Sequence, residues 1–230
     1  MYTNYYDETA LQTTVNSTMK RVFGKMTLGL VVTALVSMYC ANSYAFLSFL
    51  FNNSWTIWVL FIAEIAIVMG LSAGINKLSS PMASFLFYLY AVVNGMTLSP
   101  IFLVYTGASI AKTFFITAAV FGAMTVYGYT TSKDLTKFGT YLIMALFALI
   151  IVSVINIFTK SSGLEWIISF VGVLIFIGLT AWDTQKIKQM ALQMPGSEVG
   201  RLATLGALSL YLDFINLFLY LLRFFGNNRD

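Results

Sequence analysis

The chain has 230 residues, 59% of them hydrophobic and 10% charged, with a formal net charge of +4 and a mean hydropathy of +0.82. A soluble domain carries roughly 25% charge, so this composition indicates an integral membrane protein built almost wholly of apolar spans and short loops. Histidine is absent and the one cysteine is Cys40, which excludes zinc hydrolases, haem proteins, histidine proton relays and a disulfide framework.

Residues 1–20 are polar and include Asp7 and Glu8, unlike a cleavable signal peptide. They are expected to form a polar cytoplasmic tail, with helix from near Leu11, ahead of a single seven-helix membrane domain at 21–230. Lys20, Arg21 and Lys25 flank a first span at about 26–50, and an Asn-rich loop at 51–54 follows. The second span falls at about 55–75. Pro81 suits the start of the third, at about 82–105, and Pro100 should bend that span near its end. The fourth span is placed at about 110–129, the fifth at 138–158, the sixth at 164–182 and the seventh at 202–225. Each is close to the ~20 residues a bilayer requires. A loop at 183–200 with Lys186, Lys188, Pro195 and Glu198 joins the last two. Gly70 with Gly74, Gly95 with Ser99, and Ala203 with Ala207 have the four-residue spacing that lets helix backbones approach in a membrane.

The basic residues set an orientation. With the amino terminus in the cytoplasm, Lys20, Arg21, Lys25, Lys77, Lys133, Lys137, Lys186, Lys188 and Arg201 are inside. Lys112, Lys160, Arg223 and Arg229 are outside. Nine against four agrees with the positive-inside rule, and seven spans put the carboxyl terminus outside.

Three acids stand out. The last span carries Asp213 near its middle, where an ionisable group costs about 3 kcal/mol or more unless it faces protein or water. Gly206, Ser209, Asp213, Asn216, Tyr220 and Arg223 recur every three or four residues, so they share one helix face, read as the inward one. Glu64 lies in the middle of span two and Asp183 at the end of span six. Helical rise puts Asp183 near the inner face and Asp213 deeper, so tilt or a break near Gly178 would be needed to bring them together. Each acid also has a plainer reading. Glu64 can be a buried acid paired with a Ser, Asn or Lys, Asp183 an interfacial acid solvated beside Lys186 and Lys188, and Asp213 a hydrogen-bonded packing residue. As a pair, Asp183 and Asp213 could not both ionise cheaply, which suits a pH sensor in a chain without histidine.

Other intramembrane chemistries fit less well. A retinal protein needs a lysine in its last helix, and span seven has none. An intramembrane aspartyl protease uses two acids on neighbouring helices in YD and GxGD contexts, whereas TAWDTQ and LYLDFIN stand here. A proton-coupled carrier would suit buried acids, but no internal repeat is visible.

The stretch FIGLTAWDTQKIKQM at 176–190, followed by LGALSLYLDFINLFLYLLRFFGNNR at 205–229, resembles the Bax inhibitor-1 (transmembrane Bax inhibitor motif) family. YGYTTSKDLTKFG at 127–139 is similar to the family's bacterial members. The resemblance covers nearly the whole chain. It implies an all-α bundle of seven transmembrane helices with the last one central, in the inner (plasma) membrane of a bacterium. It also implies pH-dependent calcium leak, with Asp183 and Asp213 at the sensor positions and Glu64 at the place of a recurring acid in span two. Family members carry a basic residue near the inner end of span two as partner of the span-six acid, and Lys77 is the nearest candidate here.

These readings converge on a pH-sensitive calcium leak channel rather than an enzyme, gated by protonation of Asp183 and Asp213. Glu64, Asp183, Ser209, Asp213 and Asn216 are the expected ion pathway, and Asp183 and Asp213 the candidate calcium ligands, because calcium prefers oxygen donors. The expected partners are the lipid bilayer, calcium ions and protons, with no resident cofactor and no nucleic acid. Since bacterial relatives include a modulator of a membrane-bound protease, the alternative is an interaction protein acting on such a protease or in a stress response.

Overall fold

The computed structural model describes residues 2–53, 55–193 and 198–227, and residues 2–10 by backbone alone. Every element is a helix: α1 (Tyr2–Ala41), α2 (Tyr44–Asn52), α3 (Trp55–Gly74), α4 (Ser80–Leu98), α5 (Ile101–Val104), α6 (Gly107–Thr130), α7 (Thr136–Thr159), α8 (Ser162–Gln193) and α9 (Val199–Phe225). Among the described residues, seven helices are long and apolar enough to cross a membrane, with α4 and α5 together forming one of them. Large apolar side chains stand exposed along them, such as Ile62 at 63% and Phe147 at 64%. On a soluble protein such patches would aggregate, and here they are lipid-facing surface. The protein is an integral membrane helical bundle.

The expected spans are recovered, with four differences. First, α1 runs unbroken from Tyr2 to Ala41, so no break falls at residue 20, and Val15, Thr18, Met19 and Val22 are buried. Second, span one stops at Ala41 and the short α2 covers most of the remainder expected up to residue 50; Ser43 caps α2 by accepting from the Phe46 N–H. Third, span three breaks at Ser99–Pro100, where proline cannot donate to the helix, and resumes as α5. Fourth, α8 continues to Gln193 where a loop was expected from residue 183, because TQKIKQMALQ is built of helix formers. Pro195, assigned to that loop, and Arg229, assigned to the outer side, lie outside the described residues.

The contacts divide the chain into two compact units. The first comprises residues 1–104 and 189–211. In it α1 packs on α4 where Gly95 stands: a Cβ there would lie 2.8 Å from the Thr33 carbonyl oxygen and 2.9 Å from the Val36 Cβ. Ala203 and Ala207 are fully buried, so two of the three small-residue pairs do pack closely. The third does not, since a Cβ on Gly70 would meet nothing within 4 Å and one on Gly74 would meet Leu78 at an ordinary 3.7 Å. A polar network crosses this unit. The Tyr211 hydroxyl donates to Asn94 Oδ1 at 2.9 Å and lies 2.6 Å from Thr33 Oγ1, while Thr33 donates to the Ala91 carbonyl. Nearer the end of α9, Lys25 Nζ donates to Ser84 Oγ and, at 2.7 Å, to Thr204 Oγ1.

The second unit comprises residues 105–188 and 212–228. Its packing joins two of the sequence motifs to each other. Gly128 and Gly139, from the motif at 127–139, let α8 approach: a Cβ on Gly128 would lie 2.1 Å from the Ala181 carbonyl oxygen, and one on Gly139 2.2 Å from the Trp182 ring. Gln185 then holds the turn between α6 and α7, donating to the Lys133 carbonyl and accepting from the Leu135 N–H, both at 2.8 Å. Lys188 donates to the Tyr129 carbonyl at 2.8 Å and lies over the Tyr129 ring.

Of the seven spans, α9 is the most buried, 67% of its apolar stretch against 50% for α8 and 33% or less for the others. Its polar stripe is not its most buried face. Leu210, Tyr211 and Leu217 are fully buried, whereas Ser209, Asn216 and Tyr220 are half-buried and Arg223 is exposed.

Candidate functional site

The site is assembled on the second unit by α8 and the last part of α9. Because α8 runs unbroken through Gly178, no kink is needed to bring the acids together. Asp183 stands ten residues before the end of α8, about 15 Å along its axis, and Asp213 fourteen residues after the start of α9, about 21 Å. The extra turns of α8 thus place Asp183 inside the helix rather than at its end.

Asp213 is 4% exposed, and its Oδ2 is buried with no hydrogen-bond partner among the described residues. Asp183 is half-buried and close enough for its charge to act on Asp213, while Lys186, one turn on, acts on Asp183. Lys186 Nζ itself lies 4.8 Å from the centre of the Trp182 ring. Thr180 and Thr184, both fully buried, donate their hydroxyls to α8's own carbonyls at 2.7 Å. Asn216 does the same on α9, its Nδ2 donating to the Leu212 carbonyl at 2.8 Å. Phe214, beside Asp213, packs against Phe114 and Phe121 of α6. A carboxyl oxygen is therefore held in an apolar setting beside a second carboxyl, where two full negative charges are costly and a proton or a cation relieves both.

Of the remaining predicted site residues, Glu64 and Ser209 belong to the first unit. Glu64 is half-buried on α3, within hydrogen-bond reach of Asn94 and Thr97 on α4, and its Oε1 is buried without a partner. Ser209 is half-buried. Lys77 is exposed, and among the described residues the ion pair present is Arg201 with Glu198, at 2.6 Å. No group of three or more His, Cys, Asp or Glu that could hold a metal occurs among the described residues.

The polar network of Thr33, Asn94, Tyr211 and Glu64 was not anticipated. Asn94 was its visible signal, an amide inside an apolar span, which membranes tolerate only when it is partnered.

The family described as "Inhibitor of apoptosis-promoting Bax1" matches residues 15–230. The Escherichia coli K12 protein named "Inner membrane protein YbhL" is 51% identical over 214 residues, covering 92% of each chain. An uncharacterized protein of Borreliella burgdorferi is 46% identical with 94% of each chain covered, and one of Rickettsia prowazekii 42% identical over 98% of this chain and 99% of its own. With seven apolar spans and these relatives, the chain is an integral inner-membrane protein, and it belongs to the Inhibitor of apoptosis-promoting Bax1 family.

Proposed function

We propose that the protein is a pH-sensitive leak channel for cations, calcium among them, and not an enzyme. The observation that carries this reading is the buried, unpartnered Oδ2 of Asp213 beside Asp183. A proton shared by the two carboxyls lets α8 and α9 pack. Its loss leaves two like charges whose repulsion loosens that contact, so gating is a population shift between packed and loosened arrangements. Calcium takes six to eight oxygen ligands. Asp183, Asp213 and the Asn216 carbonyl give only part of that set, which fits an ion that must leave as readily as it enters. Glu64 and Ser209 supply oxygens for the same ion in the first unit. The amino terminus lies in the cytoplasm and the carboxyl terminus outside, on the bias of basic residues.

The test is calcium flux into proteoliposomes of the purified protein as a function of pH, with Asp183→Asn, Asp213→Asn and the double variant. Flux is expected to depend on pH, with the dependence flattened in each single variant and no further change in the double. Unchanged midpoints in both singles would remove the pair from gating, and additive effects would show two independent acids. Absence of flux from well-folded protein would favour the regulator of a membrane-bound protease.

A further inference from the structure

A second polar region lies on the other side of the second unit's helices, where α7 ends and α8 begins. Two adjoining cavities meet there, of about 500 and 340 Å³. The larger is lined by Lys160, Ser162, Glu165, Tyr220 and Arg223 among others; the smaller shares Ser162, Glu165 and Arg223 and adds Trp166 and Ser169. Their volumes are those of ligand sites, roughly 300–1,000 Å³.

Two observations point to an occupant. Ser169 is 2% exposed, and its hydroxyl has no hydrogen-bond partner among the described residues although it lines the smaller cavity. Lys160, Glu165 and Arg223 line a common space, yet no ion pair joins them among the described residues. Two cations and one carboxylate around one cavity suit a ligand that is itself both anionic and cationic. An anion alone would leave Glu165 facing like charge, and a cation alone would face Lys160 and Arg223. The source is set by what borders the cavities. Ile157 and Trp166 line them and are 65% and 58% exposed on helices whose outer surface faces lipid.

We propose that these cavities bind the headgroup of a phospholipid bearing a primary amine, of the phosphatidylethanolamine type. Arg223 and Lys160 hold its phosphate, Glu165 its ammonium group, and Ser169 donates to a phosphate or glycerol oxygen. The acyl chains then run over Ile157 and Trp166. A charged fork suits a phosphate, and charge-assisted hydrogen bonds are the strong ones.

The test uses delipidated full-length protein in detergent, with native mass spectrometry of lipid retained after titration with phosphatidylethanolamine, phosphatidylglycerol or phosphatidylcholine of matched chains. Phosphatidylethanolamine should be retained most tightly. Arg223→Gln should weaken it roughly tenfold, the worth of one charge-assisted bond, with partial recovery in Arg223→Lys. Glu165→Gln should abolish the preference over phosphatidylglycerol without abolishing lipid binding, a change of specificity that misfolding would not produce. Lys112→Gln, at an exposed lysine outside the cavities, should change nothing. Equal retention of the three lipids, or a preference that survives Glu165→Gln, overturns the proposal. So does displacement by soluble glycerophosphoethanolamine as effective as that by the lipid, which would make the ligand a free zwitterion.

Discussion

Gly128 offers the sharpest test of the packing that positions Asp183. A methyl group at residue 128 would lie 2.1 Å from the Ala181 carbonyl oxygen, 2.8 Å from its carbon and 2.9 Å from its Cα. The closest comfortable carbon–oxygen approach is about 3.3 Å, so α6 and α8 would have to separate by roughly 1.2 Å at this point. All three clashing atoms are backbone, and no rotamer change relieves them. Ala181 is 3% exposed and Thr180 and Thr184 are fully buried, so the separation opens a packed interface. Overpacking a core costs about 1–3 kcal/mol, and a backbone obstacle belongs at the upper end. For a chain of this size that is a fall in melting temperature of roughly 6–12 °C. The control is Gly122→Ala on the same helix, where nothing lies within 4 Å of the added methyl and helix propensity favours alanine by up to about 1 kcal/mol. The assay is the monodisperse fraction surviving a temperature series in detergent. If Gly128→Ala melts together with Gly122→Ala, the close approach of α6 and α8, and with it the placement of Asp183, is refuted.

Further expectations follow from other contacts. Tyr211→Phe removes the donor to Asn94, and the interhelical bond lost together with the Asn94 carbonyl left bare should cost about 1–2 kcal/mol in the same thermal series. Glu64→Gln should insert and fold normally but alter calcium flux, since the partnerless Oε1 is the group it changes; wild-type flux and stability would leave Glu64 a packing acid. Asp134 accepts from the Thr136 N–H at 2.9 Å at the start of α7, and hydrogen bonds from Thr136 hold its carboxyl below its ordinary pKa. A depressed carboxyl stabilises the fold above the unfolded value and loses that contribution as pH falls through the folded one, so Asp134→Ala should melt slightly lower than wild type at pH 7, and the gap should close below about pH 4. A gap that widens in acid would contradict this. Reporter fusions after residue 230 that are active only in the cytoplasm would overturn the proposed orientation.

The sequence by itself determined the class, the number of spans and which acids fall within them. Runs of ~20 apolar residues have few alternatives to a spanning helix, because lipid satisfies no backbone hydrogen bonds. An Asp or Glu inside such a run is conspicuous for the same reason, which is why Glu64 and Asp213 were visible. The resemblance added the pairing of Asp213 with Asp183. The structure runs α8 unbroken through Gly178 and on through 183–193, a stretch whose polarity suggested a loop although it is built of helix formers. It also decided which small residues pack, since spacing alone cannot distinguish Gly95 against Thr33 from Gly70 in open space. The stripe on α9, read as inward, includes the buried Gly206 and Asp213 as well as the half-buried Ser209, Asn216 and Tyr220 and the exposed Arg223. Periodicity reports which residues share a side; what covers that side depends on neighbours distant in sequence, and Leu208, Leu210, Leu217 and Leu222 are buried while Leu205, Leu212 and Leu219 are half-buried. The motif at 127–139 was recognisable as a pattern. Its physical meaning, two glycines and a turn fitted against Ala181, Trp182 and Gln185, exists only once α6, α7 and α8 are packed.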